Sequence, residues 1–292
     1  MNQPLFLGAA TAIVTPFCDN RIDLDAFARL IEQQLSAGIE AIVVSGTTGE
    51  ASTLTADEKA ALWRFAAELL HGKALLIAGV GTNDTRVSVS MARLARDCGA
   101  DALLAVTPYY NKCSQEGLAR HYEMLADATD LPLITYNVPS RTGVDLKPET
   151  CVRLMCHPHI AGIKEASGSI SRTAQLRSLC KDGFPIWSGN DDQITAMMSL
   201  GASGVISVLS NVRPRTVKAL TDACLRGDFK TAAKLQIDCL PLIEALFSDV
   251  NPIPVKAALS ELGICREELR LPLCPLSEEG RKRLRAALEA CP

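Results

Sequence analysis

The sequence predicts an α/β fold, a (β/α)8 TIM barrel with a small C-terminal helical extension, and three observations predict it. Short apolar, β-branched runs alternate with longer stretches of helical period; there are eight such runs before residue 226; and one helix-to-strand junction recurs along the chain. The junction reads Ala37-Gly38-Ile39-Glu40-Ala41-Ile42, then Cys98-Gly99-Ala100-Asp101-Ala102-Leu103, then Leu200-Gly201-Ala202-Ser203-Gly204-Val205. In each case a Gly closes a helix and a strand follows within a few residues. Units of about 25 to 30 residues fit a closed barrel better than a doubly wound sheet, which has fewer strands and carries a phosphate fingerprint.

Taken in order, the first strand is expected at 10–14, ending at Thr15-Pro16, and a helix follows with Leu24, Phe27, Ile31 and Leu35 on one face. The second strand, 41–45, runs into Gly46, and Thr55 with Glu58 forms a capping box for the next helix. The third, 74–79, precedes a helix with Val87, Met91, Leu94, Ala95 and Cys98 on one face. The fourth is 102–106, with Ser114 as the following N-cap; the fifth is 133–137, with Pro148 in a helical first turn. Strands six to eight are 160–164, 185–188 and 204–208, and Pro214 opens the last helix of the barrel. Beyond residue 226 the strand signals stop, and 228–247, 254–263 and 277–291 read as helices joined by turns at Asn251-Pro252 and Leu271-Pro272. The expected division is a catalytic barrel, 1–226, and a helical part, 227–292.

With 292 residues and 48% hydrophobic content, the chain can fill a large core. A net charge of -3 offers no basic field for a phosphate backbone, so nucleic acid is not expected as a partner. Apolar runs such as 5–14 fall well short of the roughly 20 residues that span a bilayer. That run also lacks a preceding Lys or Arg, so no signal peptide is expected. The 11 Cys are scattered without a C-x-x-C pair and read as reduced thiols of a cytoplasmic protein, several of them buried. His157-Pro158-His159 lacks a third ligand nearby, and no metal or other cofactor is expected.

In such barrels the chemistry sits at the C-terminal strand ends. Lys164 stands out there, ending the apolar stretch Ile160-Ala161-Gly162-Ile163, where loss of water would lower the pKa of an amine and make it a nucleophile; the plainer reading is a Lys that leaves the strand for water. Three of the four Tyr, Tyr109, Tyr110 and Tyr136, gather at two strand ends, and a phenol held by Thr47 or Thr48 could pass a proton. Arg141 could clamp a carboxylate with both guanidinium prongs, or simply be a solvated loop residue. The Gly46-Thr-Thr-Gly-Glu50 segment lacks the Lys of a P-loop, so no nucleotide is expected.

These residues lie within GTTGE (46–50), VTPYYN (106–111), YNVPSRTG (136–143), GIKEA (162–166) and NPIPVK (251–256). Through these motifs, from Thr11 to Pro275, the chain resembles the pyruvate-dependent class I aldolases of the N-acetylneuraminate lyase family. Thr47-Thr48 and Arg141 resemble the branch that condenses pyruvate with L-aspartate 4-semialdehyde in lysine and diaminopimelate biosynthesis. The resemblance implies that Lys164 forms a Schiff base with pyruvate and that Tyr136 shuttles protons through Thr48 to Tyr110, the last reaching in from a neighbouring subunit. It further implies that Thr47 and Thr48 hold the pyruvate carboxylate, Arg141 holds that of the semialdehyde, and Gly189 and Ile206 line the pocket through backbone atoms. Self-association follows from the borrowed Tyr110, with a homotetramer, a dimer of dimers, expected.

Lysine-inhibited relatives place a Ser, two His and an acid where this chain has Ala51, Ala56, Lys59 and Val87, keeping only Asn83 and Tyr109, so weak or absent inhibition by lysine is expected. Two rival readings remain: a sialic acid or sugar-acid lyase with the same Schiff base, and a catalytically silent barrel that binds pyruvate.

Overall fold

A computed structural model describes residues 3–291. Eight parallel strands close into a barrel: β1 (Gly8–Ala12), β2 (Ala41–Val44), β3 (Leu75–Gly79), β4 (Ala102–Val106), β5 (Leu133–Asn137), β6 (Ile160–Glu165), β7 (Ile186–Ser188) and β8 (Gly204–Ser207). Each strand pairs with its sequence neighbours, and β1 closes the ring on β8 with Gly8 opposite Gly204 and Thr11 opposite Ser207. Gly204 allows that closure: its φ is +154°, and a Cβ there would lie 1.9 Å from the carbonyl oxygen of Gly8.

The first strand lies two residues earlier than its apolar run suggests. Ile13 and Val14 stay buried but cross the barrel mouth, and the Val14 N–H donates to Asn211 Oδ1 (3.2 Å) instead of to a strand. Ser45 leaves β2 at a φ of +58°, which starts the turn that carries Gly46 to Glu50.

Twelve helices surround and extend the ring: α1 (Leu24–Ala37), α2 (Ala56–Leu70), α3 (Thr85–Asp97), α4 (Gln115–Ala126), α5 (Pro139–Thr142), α6 (Pro148–Leu154), α7 (Ile170–Cys180), α8 (Ile194–Ser199), α9 (Pro214–Leu225), α10 (Phe229–Leu246), α11 (Ile253–Glu261) and α12 (Glu278–Ala290) among the described residues. The capping box of Thr55 and Glu58, the Ser114 N-cap, and the prolines at the starts of α6 and α9 all form as their chemistry dictates. Gly38 ends α1 in the left-handed conformation, with its N–H on the carbonyls of Gln34 and Leu35.

Two helix faces differ from the expected ones by a fraction of a turn. In α1 the buried stripe is Ala26, Phe27, Leu30, Ile31 and Gln34, with Leu24 outside; Gln34 Oε1 accepts from Thr11 of β1 at 2.6 Å. In α3 the small residues Ser88, Ala92 and Ala95 face the sheet, leaving Val87 exposed, because small side chains allow the close approach and Ser88 Oγ accepts the Thr82 N–H (2.9 Å).

Two apolar layers hold the barrel together. The outer one packs strands against helices; the inner one fills the ring with Ala10, Val43, Ile77, Leu104, Ile134, Trp187 and Ile206, and Phe6 plugs it by stacking on Trp187 at 5.0 Å. The lower ring is therefore a packed core and only the C-terminal mouth is open for chemistry. His157 and His159 are spent on structure, bonding Asp127 Oδ1 and the carbonyl of Ala126, both at 3.1 Å. Among the described residues no helix is long and apolar enough to cross a membrane, and no three His, Cys, Asp or Glu side chains are grouped to hold a metal ion.

Candidate active site

Parallel pairing sets Tyr136 of β5 level with Lys164 of β6, and Lys164 level with Trp187 of β7. Residues paired in register share a face of the sheet. Tyr136 and Lys164 therefore enter the mouth together, with Lys164 Nζ 4.4 Å from the centre of the Tyr136 ring. Lys164 is 6% exposed, so it does not run out to water, and among the described residues its amine has no hydrogen bond or ion pair.

Burial lowers the pKa of Lys164 from 10.5 to about 8, and nearby Arg141 pushes the same way while Asp191 opposes. Gly189, at the end of β7, leaves room for this side chain. A Cβ there would lie 3.0 Å from Lys164 Cε and 2.6 Å from the Cβ of Ala166.

The GTTGE turn folds on itself, with the N–H of Gly49 on the carbonyl of Gly46 (3.0 Å) and that of Glu50 on the carbonyl of Thr47 (3.1 Å). This separates the two threonines. The Thr47 hydroxyl lies beside the Tyr136 phenol, whose pKa is raised by burial and held back by the charge of Arg141 and by Thr47. Thr48 Oγ1 instead accepts Asn251 Nδ2 at 3.0 Å. The expected relay through Thr48 is thus corrected: the turn points Thr47 at Tyr136 and gives Thr48 a partner from the C-terminal helices.

Arg141 lies in the one-turn helix α5, which Pro139 opens, and Nη2 donates to the carbonyl of Asn251 at 3.4 Å. A cavity of about 180 Å³ brings together Lys164, Tyr136, Thr47, Thr48, Arg141 and Gly189, with Phe247 and Asn251 at its rim. The side chain of Ile206, a residue expected here through its backbone atoms, takes no part in the wall. That side chain is fully buried in the inner core with Trp187, and Val208 lines the cavity instead.

A second cavity of about 290 Å³ adjoins the first at Thr47, Tyr136 and Arg141 and extends to Ala51, Lys59 and Tyr109. No carboxylate lines it, and Lys59 is buried there, which lowers its pKa by desolvation. Tyr110 lines neither cavity: it is 90% exposed, at a φ of +69°.

Three polar features have no role in the sequence reading. Asp191, buried near Lys164, accepts the N–H groups of Val208 and Leu209 through Oδ2 (both 2.9 Å), and burial raises its pKa. Asn251 bridges Thr48 and Arg141. Glu50 and Lys256 form a buried ion pair at 2.6 Å. For Glu50, Asn251 and Lys256 the available signal was their place inside the GTTGE and NPIPVK motifs, where polar groups sit among small or apolar neighbours.

The model of the dihydrodipicolinate synthetase family matches residues 5–291. The chain is 52% identical over 281 residues to the 4-hydroxy-tetrahydrodipicolinate synthase of Exiguobacterium sibiricum, covering 96% of each. The crystal structure of dihydrodipicolinate synthase from Thermotoga maritima superposes with a TM-score of 0.96 at 42% identity, covering 98% of both chains. That of the chloride-inhibited dihydrodipicolinate synthase from Acinetobacter baumannii complexed with pyruvate also gives 0.96, at 42% identity over 98% of this chain and 99% of that one.

Proposed function

Because the chain belongs to the dihydrodipicolinate synthetase family, we propose that its barrel mouth joins pyruvate to L-aspartate 4-semialdehyde, the reaction of a 4-hydroxy-tetrahydrodipicolinate synthase in diaminopimelate and lysine biosynthesis. It is a lyase of the class I aldolase type. The observation that carries the reading is Lys164, a buried amine with no ion pair among the described residues and a pKa of about 8.

The neutral Nζ adds to the ketone carbon of pyruvate, and loss of water leaves an iminium. Its positive nitrogen draws electrons from the methyl group, which gives up a proton to become an enamine. The enamine carbon then forms a bond to the aldehyde carbon of the semialdehyde, whose oxygen takes a proton, and the iminium returns on Lys164; the amino group of the semialdehyde part then adds to the iminium carbon and the Lys164 amine leaves, which closes the ring and frees the enzyme. Tyr136 carries protons in these steps, and its neighbour Thr47 is the next link toward Tyr110. The exposed, outward Tyr110 supports its use in the second cavity of a neighbouring copy, and with it a homotetrameric assembly built from dimers. Thr48, with Thr47, holds the pyruvate carboxylate, and Arg141 holds that of the semialdehyde.

The division into a barrel, 1–226, and a helical part, 227–292, and a cytoplasmic location belong to the same proposal. Incubation with pyruvate, reduction with borohydride and peptide mass spectrometry test it. An adduct on Lys164 supports the reading; an unmodified Lys164 overturns it.

A further inference from the structure

The turn of Thr47 and Thr48 is fastened twice to one short segment of the C-terminal helices. Thr48 Oγ1 accepts Asn251 Nδ2 at 3.0 Å, and Glu50 Oε1 accepts Lys256 Nζ at 2.6 Å. Within that segment the N–H of Lys256 bonds the carbonyl of Pro252 at 3.0 Å, so Asn251 directly precedes the helical turn that carries Lys256. The carbonyl of Asn251 also accepts Arg141 Nη2 at 3.4 Å. One residue therefore touches both groups assigned above to substrate carboxylates.

The ion pair is built with care. Side chains of Lys256 and Glu50 are 0% and 1% exposed, Glu50 Oε2 accepts the N–H of Arg270 at 3.0 Å, and Lys256 Nζ lies 4.2 Å from the centre of the Phe17 ring. Taking two charges out of water is costly, and a buried pair commonly adds little net stability over an apolar replacement. Its return must lie elsewhere, in fixing geometry.

We infer that Glu50 and Lys256 are positioning residues: their pair locks residues 251–256 against the turn of Thr47 and Thr48, and through Asn251 it sets the spacing between Thr48 and Arg141. The inference rests on the substrate assignment above. Neither residue touches substrate; both act through Asn251. Loss of the lock lets Thr48 and Arg141 drift relative to each other, so both substrates bind less well, whereas a merely structural pair would change stability and leave the Michaelis constants alone.

The test is the double variant Glu50→Gln with Lys256→Met, which removes both charges, leaves no unpaired one and keeps an acceptor for the N–H of Arg270. Expected are KM values for pyruvate and for aspartate semialdehyde that both rise about tenfold, with kcat changed far less and a melting temperature close to that of the starting protein. A folded double variant with both KM values unchanged overturns the inference. Should it not fold, Glu50→Gln alone decides, since it removes the pair's negative charge while keeping acceptors for Lys256 Nζ and for the N–H of Arg270. Raised KM for both substrates supports the lock, and unchanged values overturn it. Borohydride trapping on the unaltered protein is run alongside: no adduct there overturns the functional reading and this inference with it, while a normal adduct with unchanged variant constants overturns the inference alone.

Discussion

Lys164 Nζ rests 4.4 Å above the ring of Tyr136, two side chains from adjacent strands held level by parallel pairing. In the proposed reaction the contact joins the nucleophile to the group that moves its protons. Replacing Lys164 by Ala removes the only atom in this pair that can bond carbon. Turnover is expected to fall by about a thousandfold or more, with loss of the borohydride-trapped adduct and no fall in melting temperature at neutral pH, because the change also removes a desolvated charge that opposes folding. Turnover that survives the change sinks the Schiff-base mechanism.

The pH dependence follows from the same amine. With a pKa of about 8, about a tenth of Lys164 is neutral at pH 7 and about nine-tenths at pH 9, so the rate of imine formation should climb through this range and then level off. Stopped-flow measurement of adduct formation against pH reads this directly, and a flat profile contradicts it. Folding carries the matching sign: between about 8 and 10.5 the unfolded lysine keeps a proton the folded one has lost, so this group's contribution makes the fold more stable as pH rises, and its penalty is in full force below about 8.

Arg141 separates the two substrates. Arg141→Ala should raise KM for aspartate semialdehyde by about a hundredfold through loss of a charge-assisted pair, yet still allow Lys164 to be trapped with pyruvate. Equal loss with sugar aldehydes, or better turnover of them in the unaltered enzyme, would favour a sugar-acid lyase.

Tyr110 turns away from its own cavities, which makes a mixing experiment informative. Tyr110→Phe and Thr47→Val should each lose about a hundredfold in turnover. Dissociated and reassembled together at equal amounts, they should recover about a quarter of the original activity, since half of the random pairs are mixed and each mixed pair holds one intact site of two. No recovery would place Tyr110 in its own chain's chemistry or outside it altogether.

L-Lysine should inhibit weakly. Lys59 lies in the cavity of Ala51 and Tyr109 with no carboxylate in its lining, so a second ammonium would meet like charge without a counter-ion. Half-maximal inhibition in a turnover assay should need well above about a millimolar lysine, and a lower value would show that another group supplies the missing acid.

The barrel was legible because its signals are local: apolar runs, caps and Gly-closed helices each depend on neighbours a few residues away. Lys164 and Tyr136 could be read for the same reason, as polar residues at the ends of apolar strands, and Arg141 from the loop that follows one of them. Three things could not. The choice between Thr47 and Thr48 depends on how one turn folds back on itself. The share of Val208 in the cavity wall depends on how the chain turns just after β8. Asn251 and Lys256 meet Thr48 and Glu50 across separations of 203 and 206 residues, a distance over which no periodicity speaks. The face of α3 was misplaced because it buries small residues and not its largest apolar ones, and that of α1 because Leu24 lies exposed at the first position of the helix.

The ring closes only when β8 meets β1, and Thr48 is gripped only by a residue some forty positions later still. During synthesis the first strand must therefore wait, without its final neighbour, until most of the chain has left the ribosome. A nascent polypeptide halted before Asn251 can hold most of the scaffold and yet leave Thr48 Oγ1 without the amide that it accepts from.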